Sequence, residues 1–146
     1  MSLITAQSIE RHVHGVTRQI TLSYDARFLR RKVLTDDAGS EFLVDLPQTT
    51  SLNAGDAFVL DDGSKVRVAA AIEPLMEVRG DLTRLAWHIG NRHTPCQIEA
   101  DRLLIQRDHV LRDMLGKLGA EVADVEAAFT PEGGAYGTGR THSHAH

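Results

Sequence analysis

The chain contains a single cysteine, Cys96, so no intrachain disulfide can form and a reducing compartment is the expected setting. It has no apolar run approaching the ~18 residues that a membrane-spanning helix requires. The first twenty residues carry charges and histidines without an apolar h-region, which reads against a secretory signal. A soluble, cytoplasmic protein is the expectation. No strong charge of either sign is present: the net charge is −4 and the pI about 6.0. Nucleic-acid binding would therefore rest on one local run, Arg27-Phe28-Leu29-Arg30-Arg31-Lys32, and that run reads as a solvated strand edge or turn. Enzyme templates are missing as well. There is no Gly-x-Ser-x-Gly elbow, no Gly-rich phosphate loop and no His-Glu-x-x-His pair, and the carboxylates are scattered through turns and caps. No catalytic site assembles from these residues, and an enzyme is not expected.

What remains is 146 residues of ordinary globular composition, 42% hydrophobic and 25% charged, with few aromatics (5%) and eight histidines. A chain of this length buries roughly two thirds of its unfolded surface and folds without disulfides, as one domain or two small ones.

Two halves follow different periods. Residues 1–71 read as a small all-β domain. Ile20, Leu22 and Tyr24 alternate with Thr21 and Ser23, the two-residue period of a half-buried strand. Lys32–Thr35 and Glu41–Leu46 flank the turn Asp36-Asp37-Ala38-Gly39-Ser40, and Phe58–Leu60 and Val66–Val68 flank Asp61-Asp62-Gly63-Ser64. Residues 72–128 change period. A strand over Leu75–Arg79 ends at Gly80, and Asp81 caps a helix whose stripe is Leu82, Leu85, Ala86 and Ile89, with Gly90 as its stop. Short apolar stretches follow at Cys96–Ile98 and Leu103–Ile105. Asp108 then caps a second helix that turns Val110, Leu111, Met114, Leu115 and Leu118 inward and closes at Gly119. A last strand covers about Ala120–Val125. The order β-α-β-β-α-β predicts a ferredoxin-like second domain, hence an α+β protein. Residues 129–146 are rich in Gly and small residues, lack apolar periodicity and read as a disordered, mobile tail.

The chemistry sits on histidines. His142, His144 and His146 alternate with Ser143 and Ala145, which in an extended chain places three imidazoles on one side at a repeat of about 6.6 Å. An appended purification tag would be an unbroken run. Neutral imidazoles suit nickel, copper and zinc, whereas magnesium or calcium would want oxygen ligands. His93 follows the helix stop and so lies in a surface loop. A lone loop histidine is more often inert, but near a two-fold axis it becomes two facing imidazoles, which tail histidines could complete. His109 opens the second helix, where a solvent-facing role and a secondary metal site are equally open. His12, His14 and His88 read as structural, and Cys96 as a small buried hydrophobe.

Three motifs, Gly90-Asn91-Arg92-His93-Thr94-Pro95-Cys96-Gln97-Ile98, Asp108-His109-Val110-Leu111-Arg112-Asp113-Met114-Leu115 and Phe129-Thr130-Pro131-Glu132-Gly133-Gly134-Ala135-Tyr136-Gly137, resemble the UreE family of urease accessory proteins in sequence and order. The resemblance implies a peptide-binding-like β domain followed by a ferredoxin-like domain that binds metal and forms a homodimer. It implies His93 as the principal Ni²⁺ ligand, one from each subunit, and His109 as a position for additional metal. Arg107 stands where some relatives carry a further His, which leaves that second site incomplete. The implied function is a nickel metallochaperone that hands Ni²⁺ to the urease GTPase accessory protein and the apo-urease maturation complex. The alternatives are a general binder or store of Cu²⁺, Zn²⁺ or Ni²⁺, and a non-catalytic interaction module with an incidental tail. No nucleic acid or membrane partner is expected.

Overall fold

The computed structural model describes residues 3–133, which fall into two compact units dividing between Ala71 and Ile72. His142, His144 and His146 lie outside the described residues.

The first unit is one six-stranded sheet. Its strands are β1 (Thr5–Glu10), β2 (Gln19–Leu22), β3 (Phe28–Thr35), β4 (Glu41–Ser51), β5 (Ala57–Leu60) and β6 (Lys65–Ala70), in spatial order β2-β6-β5-β1-β4-β3. The two expected hairpins form, β3 with β4 and β5 with β6. Asp36 shapes the first turn by accepting from the amides of Ala38 and Ser40 and from the Arg18 guanidinium. Two parallel pairings, β1 with β4 and β2 with β6, knit distant segments together around a core of Phe42, Val44, Phe58, Leu60, Val66 and Val68. Tyr24 lies beyond the end of β2, in a short turn, and is not a strand residue. Arg27 departs further from expectation. It is only 2% exposed, and its guanidinium donates to the carbonyls of Leu22 and Leu52, the first of which also accepts from Ala71 N–H. The rest of the basic run, Arg30, Arg31 and Lys32, is exposed on β3, an edge strand where Lys and Arg discourage further strand pairing.

The second unit contains β7 (Ile72–Arg79), α1 (Leu82–Asn91), β8 (Gln97–Ile98), β9 (Leu103–Gln106), α2 (His109–Lys117) and β10 (Glu121–Ala128). The sheet order is β10-β7-β9-β8 with every pairing antiparallel, the ferredoxin-like arrangement. Met76, Val78, Leu103 and Ile105 pack with Leu85 and Ile89 of α1 and Leu111 and Leu115 of α2. Asp81 and Asp108 cap their helices as the sequence implies, accepting from Arg84 N–H and from the Val110 and Leu111 N–H groups. Val110 does not turn inward. It is half exposed, one residue and about 100° around the helix from buried Leu111. No helix of the described residues is long and apolar enough to cross a membrane.

Candidate metal centre

The first helix does not stop at Gly90. It runs to Asn91, and Arg92 is its C-cap. The left-handed residue that ends it is His93, at φ 58°. His93 N–H donates to Gly90 O at 2.9 Å and Thr94 N–H to Ile89 O at 3.3 Å, the paired bonds of a Schellman turn. A glycine is the usual occupant of this position; histidine is tolerated there, though uncommon. The turn fixes the backbone of His93 on the surface of the second unit, where the residue is exposed.

The remaining candidates do not gather around it within the described residues. His109 is exposed at the first position of α2. Arg107, two residues earlier, is committed elsewhere: its guanidinium donates to the carbonyls of Leu75 and Val125. His88 is half-buried in α1 with its ring edge-on to Trp87, centroids 5.0 Å apart. His12, also left-handed (φ 54°), and His14 are exposed in the first unit on either side of buried Val13. Among the described residues, no group of three or more His, Cys, Asp or Glu side chains could hold a metal ion.

Cys96 lies three residues beyond His93, a spacing that invites a His–Cys pair. Burial against the core of the second unit, with the Glu132 carboxylate adding a smaller push, raises its thiol to about 11. A thiol so raised is protonated at neutral pH, and only the thiolate is a good ligand.

Residues 129–132 make specific contacts with the second unit. Phe129 is buried, Thr130 N–H donates to Gln97 Oε1 at 2.8 Å, and Glu132 N–H donates to Cys96 O at 2.9 Å. Sequence reasoning assigned Gln97 no role; its partner lies 33 residues away, beyond the reach of any local pattern. The arrangement thus presents one exposed histidine-bearing turn and, three residues on, a protonated thiol in a residue whose carbonyl holds Glu132 N–H. One imidazole makes a weak site. Tight binding at His93 needs donors from a second chain or from residues beyond 133.

The model of the UreE urease accessory protein C-terminal domain matches residues 73–146, and that of the N-terminal domain matches residues 3–71. A urease accessory protein UreE of Ruegeria pomeroyi is 60% identical over 149 residues, covering 100% of both chains. Another, from Ruegeria sp. strain TM1040, is 61% identical over 92% of this chain and 80% of its own. The protein of that name in Chelativorans sp. strain BNC1 is 50% identical over 97% of this chain and 90% of its own.

Proposed function

From the premise that this chain belongs to the UreE family of urease accessory proteins, we propose that it is a nickel metallochaperone. In this reading it delivers Ni²⁺ to the apo-urease maturation complex and its GTPase accessory protein. It acts in the cytoplasm as a homodimer, and its work is transfer of an ion with no catalysis.

The observation that carries this reading is His93, an exposed residue held in a left-handed helix-terminal turn. Backbone strain of that kind costs on the order of 1–3 kcal/mol, and functional sites are where it accumulates. Two such turns meeting across a dimer axis would supply two imidazoles to one ion. His142, His144 and His146 complete the coordination, and His109 takes a further, weaker ion. Imidazole donors accept Cu²⁺ and Zn²⁺ as well, with Cu²⁺ favoured over Ni²⁺ by intrinsic affinity.

An exposed site suits delivery. Structural zinc sites contribute on the order of 10–16 kcal/mol and do not release their ion readily. A histidine pair on a surface turn leaves coordination positions open to a recipient's ligands, so the ion can be exchanged without ever being free. The test is activation of apo-urease, with its accessory proteins, by the nickel-loaded chain at limiting nickel. The His93→Ala protein should fail to support activation beyond what the same free nickel achieves. Equal activation by both proteins would remove His93 from delivery.

A further inference from the structure

His12-Val13-His14, between β1 and β2, is held to the first unit by its middle residue. Val13 is buried, while His12 and His14 on either side of it are exposed. Both backbone groups of Val13 are engaged: its N–H donates to Gly55 O at 2.8 Å, and its carbonyl accepts from Arg67 Nε at 3.1 Å. The backbone of His12 is fixed as well. Its N–H donates at 3.3 Å to Oδ1 of Asp56, a fully buried carboxylate that also accepts from Arg11 Nη1 at 2.6 Å and from Asn53 N–H at 2.8 Å. With these bonds in place His12 stands at φ 54°, in the left-handed region.

A left-handed turn alone would be served best by glycine, which stands three residues on at Gly15 (φ 76°). His12 instead keeps a ring in a conformation that residues with a side chain adopt uncommonly. Among the described residues, neither the His12 nor the His14 imidazole hydrogen-bonds another group, so the fold makes no polar use of either ring. Backbone outliers of this kind gather at ligand clamps.

Cα atoms two residues apart lie at most about 7 Å from each other. Two imidazoles on such a base can turn onto one ion, whose ligands, at about 2 Å each, lie about 3 Å apart. Because the backbone beneath them is already fixed, closing onto the ion orders only two side chains, and the second ring binds as an intramolecular ligand at high effective concentration. Imidazole donors favour Cu²⁺, Ni²⁺ and Zn²⁺ over Mg²⁺ and Ca²⁺, with Cu²⁺ held most strongly. Among the described residues no third His, Cys, Asp or Glu joins them, so water fills the remaining positions and the ion exchanges readily. We propose that His12 and His14 form a two-imidazole site for a divalent cation, Cu²⁺ foremost, on the first unit and independent of His93.

The test uses Cu²⁺ alone, in equilibrium dialysis of the 146-residue chain. His12→Gly removes one ring while suiting the left-handed backbone, and His14→Ala removes the other from an exposed position. Each should lower the number of ions bound per chain at saturation by one, because a lone imidazole cannot chelate. Loss of the ion in only one variant would reduce the site to a single ligand, and an unchanged count in both would remove the site; either overturns the proposal. Paramagnetic broadening by Cu²⁺ gives a check that does not depend on how those variants fold. In the unaltered protein the amide resonances of His12, Val13 and His14 should broaden before saturation, and they should do so equally in His93→Ala. Resonances that stay sharp throughout, or broadening that vanishes with His93, would also overturn it.

Discussion

His93 and Gly119 occupy the same position in two copies of one turn. Each is the left-handed residue after a helix, at φ 58° and 84°, and each donates its N–H three residues back, to Gly90 O and Gly116 O. The residues that follow, Thr94 and Ala120, donate to Ile89 O and Leu115 O. At α2 the position is filled by the residue with no Cβ to strain; at α1 it is filled by an imidazole.

That comparison gives the first prediction. A left-handed L-residue costs roughly 1–2 kcal/mol, part of which glycine returns as extra entropy of the unfolded chain. His93→Gly should therefore raise unfolding stability by up to about 1 kcal/mol while destroying tight nickel binding. His93→Val, β-branched and unsuited to positive φ, should lower stability instead. Urea unfolding of the three proteins checks the order. A His93→Gly protein less stable than the unaltered one would mean that the imidazole itself supports the fold.

Arg27 makes a prediction in the other unit. Removing its guanidinium leaves the buried carbonyls of Leu22 and Leu52 without that donor. Arg27→Met should cost about 2–3 kcal/mol of stability, since bonds to charged donors are the strong ones. Chemical denaturation followed by circular dichroism measures it, and a loss below about 0.5 kcal/mol, the ordinary range for surface changes, would show the pairing to be dispensable.

Much of this architecture is legible in the sequence because its signals are local. Asp81 and Asp108 act within three residues of themselves, and the stripe Leu82, Leu85, Ala86, Ile89 reads directly as a helix face. The helix stop was misplaced because Gly90 is the obvious terminator, yet a glycine is tolerated in a last turn and histidine can take the left-handed position. Val110 looks like core by hydrophobicity, but its angle around α2 turns it outward. The Arg27–Leu52 and Gln97–Thr130 contacts were out of reach, since the two residues of each lie 25 and 33 positions apart. His93 was singled out by a motif; the left-handed turn that presents it was not legible.

Glu77 predicts the acid limb of stability in the second unit. Its carboxyl is held below the ordinary value of 4.5 by hydrogen bonds from Arg79 and Arg102. The stabilisation is complete above the unfolded value and disappears as pH falls through the lower folded one. Acidification below about pH 4.5 should thus progressively destabilise this unit. Glu77→Gln should flatten that dependence while lowering stability at neutral pH. Trp87, the single tryptophan, lies in the same unit and provides the fluorescence signal. An identical acid limb in the variant would show that Glu77 does not control it.

Cys96 should behave as a buried thiol. With its thiol raised to about 11, alkylation by iodoacetamide should be slow at pH 8 and accelerate about tenfold per pH unit toward that value, because the thiolate is the reactive form. Cys96→Ala should leave nickel affinity unchanged. A tenfold loss in that variant would make sulfur a ligand after all.

On the proposed function, one nickel ion is shared between two chains through His93. Nickel titration calorimetry of the 146-residue chain, repeated on His93→Ala, tests this most directly. The tightest event should saturate at one ion per two chains and weaken at least tenfold, about 1.4 kcal/mol, in the variant. A tight event at one ion per chain, or an isotherm that the substitution leaves unchanged, would contradict it.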